Sequence, residues 1–389
     1  MRAVLATQGT TGDVEPLIAL ARALTGRGHS AVLAAPPNFA ARARAVGVGF
    51  APLGAPTDSA AMRSVFAPTG SMLDPAEQAR HTLPSLLASV PRALEELEAL
   101  CQEADVLVSV PYQLAGRMVH ERTSIPHVSL HLSPFGNMGG KRFAEATAPL
   151  INACRGGLGF PPLRDPLGAD AVSSRLALFP VSGHVFRRPV RWPAHHHVTG
   201  YLFVEEAPPE DRALEDFLAD AGPPVVITFG SMVHEDPDAV TALLVEALER
   251  AGCRGIIQRG WSGLCRGPMP RHTHAVDFVP HAWLFQRASC VVHVGGAGTT
   301  AAALRAGSPS VIVPHWLDQP IWAQLAAEAG CAGGVIPFAR LTVEALAGAL
   351  EHTLGAPGIT EAAGALARRI KDEDGAGRAC ALIEQALAR

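Results

Sequence analysis

After Pro223-Pro224 the chain starts its rhythm a second time. Short apolar runs alternate with helical spacings before that point and again after it. No other feature of the sequence constrains the fold as strongly. In the first half, residues 3–6, 31–35, 105–109 and 127–130 read as strands, and 14–27, 38–46 and 83–103 as helices. In the second half, 225–229, 255–258, 290–294 and 310–313 read as strands, with a helix over 238–251 and a last helix over 377–388. Apolar strands separated by helices predict parallel sheets covered on both faces. A chain of 389 residues also exceeds one ordinary core. The expected fold class is therefore α/β with two doubly wound Rossmann-like domains. Residues 1–205 form the first, 206–223 a linker rich in Pro and acidic residues, and 224–375 the second. Residues 376–389 form a helix that can pack back on the first domain.

Composition narrows the function classes. Hydrophobic residues make up 48% and charged residues 17%, which suits a buried α/β protein and not a disordered one. A net charge of −4 gives no basis for capture of nucleic acid. The seven cysteines are dispersed and lack C-x-x-C spacing, so thiols in a reducing cytoplasm are expected instead of zinc or disulfides. No apolar run reaches the roughly 20 residues of a membrane span. The expected location is the cytoplasm, with no stable membrane insertion.

The chemistry-bearing stretch is His293-Val294-Gly295-Gly296-Ala297-Gly298-Thr299, between an apolar strand and a helical run. A strand, a glycine turn and a helix start make an anion site, because first-turn N–H groups and the positive helix end point outward. Glycine runs alone serve many nucleotide sites. Here the run is followed by Asp318-Gln319 at the end of the next strand, where the pair can read hydroxyls beside a diphosphate. It is preceded by Phe278-Val279, a ring that can stack on a base and a backbone that can pair with its edge; ordinary core packing explains Phe278 equally well. His293 is either a phosphate donor or a structural strand-end histidine. Gly230-Ser231 ends the first strand of the second half and can meet a phosphate.

In the first half, Gly9-Thr10-Thr11-Gly12-Asp13 joins the first strand to the first helix. Asp13 is expected as an N-cap and also as a general base, at the strand ends where doubly wound sheets bind ligands. The long stretches 52–75 and 132–170 read as irregular loops that contact substrate. His131, at the start of the second, Phe135 within it, and Thr10 are candidates for acceptor contact. The His195-His196-His197 tract reads as a solvated loop.

The ordered set from Phe278 to Gln319 resembles the donor-binding signature of the inverting nucleotide-sugar glycosyltransferases of the UDP-glucuronosyl/UDP-glucosyltransferase superfamily. Gly9–Pro16 is similar to the opening of bacterial members that glycosylate antibiotics and of sterol glucosyltransferases. The resemblance implies the GT-B fold, with its two domains facing across a cleft. It implies acceptor binding by the first domain and donor binding by the second. Asp13 matches the catalytic base. Val279 matches the backbone contact to the base, with Phe278 in place of a Trp. Ser231, His293, Gly295, Gly296, Gly298 and Thr299 match the diphosphate cradle, and Asp318 and Gln319 the sugar contacts. Ala301 stands where plant relatives carry a ribose-binding Glu, so the nucleotide is UDP or dTDP. The implied partners are a nucleotide-sugar co-substrate and a hydrophobic natural-product aglycone. No cofactor and no metal are expected, since the stretch Phe278–Gln319 carries no Asp-x-Asp motif of the kind that metal-dependent glycosyltransferases use. Two other readings stay open: an epimerase or hydrolase of nucleotide-sugars, and a non-catalytic partner subunit. A dinucleotide oxidoreductase is disfavoured, because Gly9-x-x-Gly12 is too short for G-x-G-x-x-G.

Overall fold

The computed structural model describes residues 1–66, 74–133 and 140–388. The chain divides into two compact units. The first takes residues 1–61 and 72–204 and regains 373–389; the second takes 62–71 and 205–372.

The first unit carries seven strands: β1 (Arg2–Ala6), β2 (Ser30–Ala35), β3 (Gly49–Pro52), β4 (Val106–Ser109), β5 (His127–Leu130), β6 (Leu176–Phe179) and β7 (His196–Val198). They pair in the order β3-β2-β1-β4-β5-β6-β7, all parallel. The order reverses between β1 and β4, which is where such a sheet opens a ligand crevice.

The second unit carries β8 (Val225–Thr228), β9 (Gly255–Gln258), β10 (Thr273–Val276), β11 (Cys290–His293), β12 (Ser310–Ile312) and β13 (Ala332–Val335). Their order is β10-β9-β8-β11-β12-β13, again all parallel, with the reversal between β8 and β11. Side chains alternate along each strand. Val225, Ile227 and Val292 enter one core with Leu244, Leu248 and Leu350. Val226 and Val291 enter the other with Leu284, Phe285 and Ala303. Both faces are thus covered by helices, and each fully buried Val or Ile contributes roughly 1.5–3 kcal/mol.

Several expectations need correction. Residues 83–103 belong to two helices, Pro75–Ala88 and Val90–Cys101. The stretch 132–170, read as irregular, carries the helix Gly140–Gly157, whose Phe143, Ala146 and Ile151 are buried at helical spacing. The stretch 52–75 likewise carries the helix Ser59–Phe66. Within 206–223 lies the helix Arg212–Asp220, capped by the Asp211 side chain, with Leu214 buried in the second unit's core. That core contact makes part of the stretch an element of the unit, not a connector.

The helix Gly375–Leu387 packs on the helix Thr11–Gly26 and on β6 of the first unit. Arg27 clamps it by donating from Nε and Nη2 to the two Glu384 oxygens at 2.8 and 2.7 Å, and the His29 ring joins at 2.8 Å. Its approach is fastened by Glu373, whose Oε1 accepts from the Ser182 hydroxyl at 3.0 Å and the Gly183 N–H at 3.1 Å. At Gly375 the backbone lies against Gly200 and the Tyr201 carbonyl, leaving no room for a side chain. No helix among the described residues is long and apolar enough to cross a membrane.

Candidate active site

In the second unit the chain leaves β11 through a turn that only glycine can make. Gly295 has φ +83°, and a Cβ there would lie 2.8 Å from Ile312 Cγ2 and 2.9 Å from the Gln319 carbonyl. Gly296 then caps the helix Ala297–Ala306 without any side-chain hydrogen bond. The first-turn N–H groups therefore have no side-chain acceptor, which is the condition for anion binding. At Gly298 a Cβ would meet nothing within 4 Å, so the backbone there is open to a close approach. Thr299 is half-buried beside it.

His293 is fully buried. Its Nδ1 accepts from the Gly295 N–H at 3.1 Å, which puts the ring proton on Nε2. Burial pushes its pKa down to about 3, with the His281 ring adding to the effect, so the imidazole is neutral. Among the described residues Nε2 has no partner, and neither does the buried Thr300 hydroxyl seven residues on. Two orphaned buried polar groups at one helix start call for an acceptor from outside the chain.

Phe278 is 61% exposed, so core packing does not explain it. Val279 is buried, and its carbonyl accepts from Gln258 Nε2 at 3.0 Å. Gln258 is held in turn by His281 at 3.1 Å, and His281 stacks on Phe285 with centroids 4.5 Å apart. Ser231 is half-buried after β8, next to Gly230 at φ +56°.

Asp318 and Gln319 follow β12 through a turn whose Leu317 sits at φ +48°. A branched residue in that region costs roughly 1–2 kcal/mol and persists only where its surroundings enforce it. Asp318 Oδ2 accepts from the Trp322 indole at 2.9 Å. Burial raises its carboxyl pKa, and the indole bond opposes that rise. Gln319 Oε1 accepts from the His315 and Trp316 N–H groups at 2.7 and 3.1 Å, so the amide oxygen holds the turn, while the amide NH2 donates to Met232 Sδ at 3.6 Å and keeps its second N–H for another acceptor.

In the first unit Asp13 occupies the third residue of the helix Thr11–Gly26, and the N-cap is Thr10. The expectation of Asp13 as N-cap is thereby corrected: the two residues form a capping box, with Asp13 Oδ2 accepting from the Thr10 N–H at 2.7 Å. The helix begins a turn earlier than its apolar spacing suggests. Gly9, at φ +115°, gives the carboxylate the space a Cβ would fill. Asp13 still lies at the carboxyl end of β1, beside the strand reversal.

His131, expected as an acceptor contact, is buried. Its ring shares a 2.9 Å hydrogen bond with Ser129 and stacks on Phe179 at 4.8 Å. Phe135 lies outside the described residues. The histidine tract is a strand, not a solvated loop: His196 and His197 pair with Ala177 and Leu178, and Trp192 packs edge-on against His196. Packing on Phe179, distant in sequence, and on the nearby Trp192 is what orders it.

Comparison with known proteins shows the family and the fold. Residues 3–135 match the family described as the glycosyltransferase family 28 N-terminal domain, and residues 258–377 the erythromycin biosynthesis protein CIII-like C-terminal domain. Over 433 residues the chain is 32% identical to an O-mycaminosyltylonolide 6-deoxyallosyltransferase of Streptomyces fradiae, covering 99% of this chain and 97% of that one. The chain belongs to the GT-B glycosyltransferases of the UDP-glucuronosyl/UDP-glucosyltransferase superfamily. It is also 31% identical to a sterol 3-beta-glucosyltransferase of Arabidopsis thaliana over 96% of its length, but spans only 64% of that longer relative. The solved glycosyltransferase VinC, in complex with dTDP, has the same fold, with a TM-score of 0.69 and 20% identity over the whole of both chains.

Sequence reading missed three groups that hold the site: Gln258 beneath Val279, Trp322 on Asp318, and the pair His234 and His315. Only Trp322 had a local signal, since it lies one helical turn after Asp318.

Proposed function

We propose that the protein is an inverting glycosyltransferase that moves a hexose or deoxyhexose from a nucleoside diphosphate sugar to a hydroxyl of a hydrophobic natural product. The observation that carries this reading is the glycine-capped helix start beside β11, with the His293 Nε2 and Thr300 Oγ1 groups buried and unsatisfied next to it. In this reading the diphosphate takes hydrogen bonds from the first-turn N–H groups, with Ser231 and Thr299 as further donors. Phe278 stacks on the base, and the sugar hydroxyls meet Asp318 and the Gln319 amide.

The Asp13 carboxylate takes the proton of the acceptor hydroxyl as its oxygen bonds to the anomeric carbon. The bond from that carbon to the phosphate oxygen breaks, and its electron pair leaves with the nucleoside diphosphate. The positive helix end stabilises the charge that builds there. One displacement inverts the anomeric centre. Ala301, standing where plant relatives carry a ribose-binding Glu, is buried and brings no group to a ribose hydroxyl, which suits dTDP as readily as UDP. The name of the Streptomyces relative, with its 6-deoxyallosyl group, supports a deoxyhexose within the donor range.

The test is incubation with UDP- and dTDP-sugars, with and without a panel of sterol, macrolide and aromatic acceptors. Expected is a glycoside of inverted anomeric configuration by proton NMR. Free sugar or an epimerised donor formed without acceptor would overturn transfer in favour of hydrolysis or epimerisation.

A further inference from the structure

The loop after β8 and the turn after β12 are joined by two imidazoles. His234 lies three residues after Ser231, and His315 three residues before Asp318. Their Nε2 atoms are 3.1 Å apart. The proton positions along this chain follow from its ends. His315 Nδ1 lies 2.8 Å from the Val313 carbonyl, which can only accept, so Nδ1 carries the proton and Nε2 the lone pair. His234 therefore donates from Nε2. Its Nδ1, 2.8 Å from the Ser262 hydroxyl, accepts from it, and the Ser262 oxygen receives the His234 backbone N–H at 3.1 Å. Every polar atom of both rings is used, with one direction of donation from Ser262 to Val313.

Aromatic packing fixes the rings in place. Phe338 stacks on His315 at 4.2 Å and lies 4.9 Å from His234, and Phe229 closes the other side at 5.1 and 5.6 Å. Burial holds the pKa of His234 near about 4 and of His315 near about 3, so neither ring is charged at neutral pH. The same His315 whose ring is gripped gives its N–H to Gln319 Oε1, across the strained Leu317. Nothing in the reaction as derived above uses these rings, yet they tie the residue next to one set of donor contacts to the residue next to the other.

We propose that His234 and His315 are positioning residues, a hydrogen-bonded strut that sets the sugar-binding turn 315–319 against the diphosphate loop 230–234. The proposal rests on the reading that Asp318 and Gln319 hold the sugar. It makes a specific demand: the strut matters to a ligand that carries a sugar and not to the bare nucleotide, because dTDP and UDP end before the turn begins.

The experiment is calorimetric titration of the full chain with dTDP, UDP, dTDP-glucose and UDP-glucose. His234→Ala and His315→Ala should each weaken binding of the sugar nucleotide about tenfold, the size of one buried hydrogen bond. The bare nucleotides should bind within about twofold of the parent protein. The double variant should be no weaker than either single one, since one broken link releases the turn. His315→Asn keeps a donor to Val313 and loses the link to His234; it should reproduce the tenfold loss while unfolding in one cooperative transition at a slightly lower temperature and still binding the bare nucleotides, which guards against a variant that merely folds poorly. Equal weakening of bare and sugar-bearing nucleotides, or effects that multiply in the double variant, would overturn the proposal. Asp318→Ala serves as the control on the underlying reading. If it leaves sugar-nucleotide binding intact while the histidine variants weaken it, the assignment of Asp318 falls and the strut stands. If it weakens binding while they do not, the strut falls.

Discussion

Asp13 Oδ2 accepts a hydrogen bond from the backbone N–H of Thr10, 2.7 Å away. The group proposed as catalytic base thus also closes the capping box of the first helix. The two roles separate by substitution. Asn keeps an oxygen able to accept from Thr10 but cannot take the acceptor's proton. Asp13→Asn should cut turnover about 10²–10⁴-fold while leaving thermal unfolding nearly unchanged. Asp13→Ala should lose the same activity and about 1 kcal/mol of stability besides. Steady-state kinetics with a calorimetric melt checks both, and near-normal turnover of the Asn variant removes Asp13 from the mechanism.

The glycine turn contains two glycines with opposite reasons for being glycine. At Gly295 a methyl group would strike Ile312 and the Gln319 backbone in a positive-φ conformation. Gly295→Ala should destabilise the second unit by about 1–3 kcal/mol. At Gly298 there is open space inside a helix. Gly298→Ala should leave stability unchanged or raise it by roughly 0.5–1 kcal/mol, yet weaken nucleotide binding because the methyl covers the first-turn N–H groups. Urea melts and nucleotide titrations separate these effects. Undiminished binding by Gly298→Ala would mean that no phosphate approaches that backbone.

The buried histidines predict the acid response. Burial pushes His127, His131 and His293 from 6.5 down to about 3. Their folded pKa values lie below the unfolded one, so their contribution is whole above pH 6.5 and is lost as pH falls toward 3. In that window the unfolded chain takes up protons that the folded chain refuses. Each ring then costs about 1.4 kcal/mol of stability per pH unit. Urea midpoints at about pH 7.5 and about pH 5 should differ clearly, the lower pH giving the lower midpoint, and His131→Gln should flatten the dependence. A flat profile in the parent protein rules the account out.

What the sequence revealed was what local physics encodes. The anion cradle was legible because positive φ at Gly295 and a glycine helix cap are written in adjacent residues. The strands β1, β2, β4, β5, β8, β9, β11 and β12 were legible because each is a short apolar run between turn signals. The edge strands β3, β7, β10 and β13 were not, and neither was the inner strand β6. Gly49–Pro52 and Ala332–Val335 carry Gly and Pro, and His196–Val198 owes its order to Phe179 and Trp192. The shift of the N-cap from Asp13 to Thr10 shows the limit of spacing: apolar periodicity marks where a helix is buried, and the cap lies a turn before. The contact between His234 and His315 spans 81 positions, and Gln258 reaches Val279 across 21. Such pairs are made by strand order, which no local pattern records.

The return of the chain to its first unit has a consequence for synthesis. The surface formed by the helix Thr11–Gly26 and β6 is covered by the helix Gly375–Leu387, which is made only after the whole second unit. At ordinary ribosomal speed that interval is on the order of ten seconds. Throughout it, Arg27 and the apolar surface beneath the missing helix face solvent or a chaperone. A nascent chain stalled within the second unit would therefore present a sticky, incomplete first unit, and the final helix acts as the latch that ends this vulnerable period.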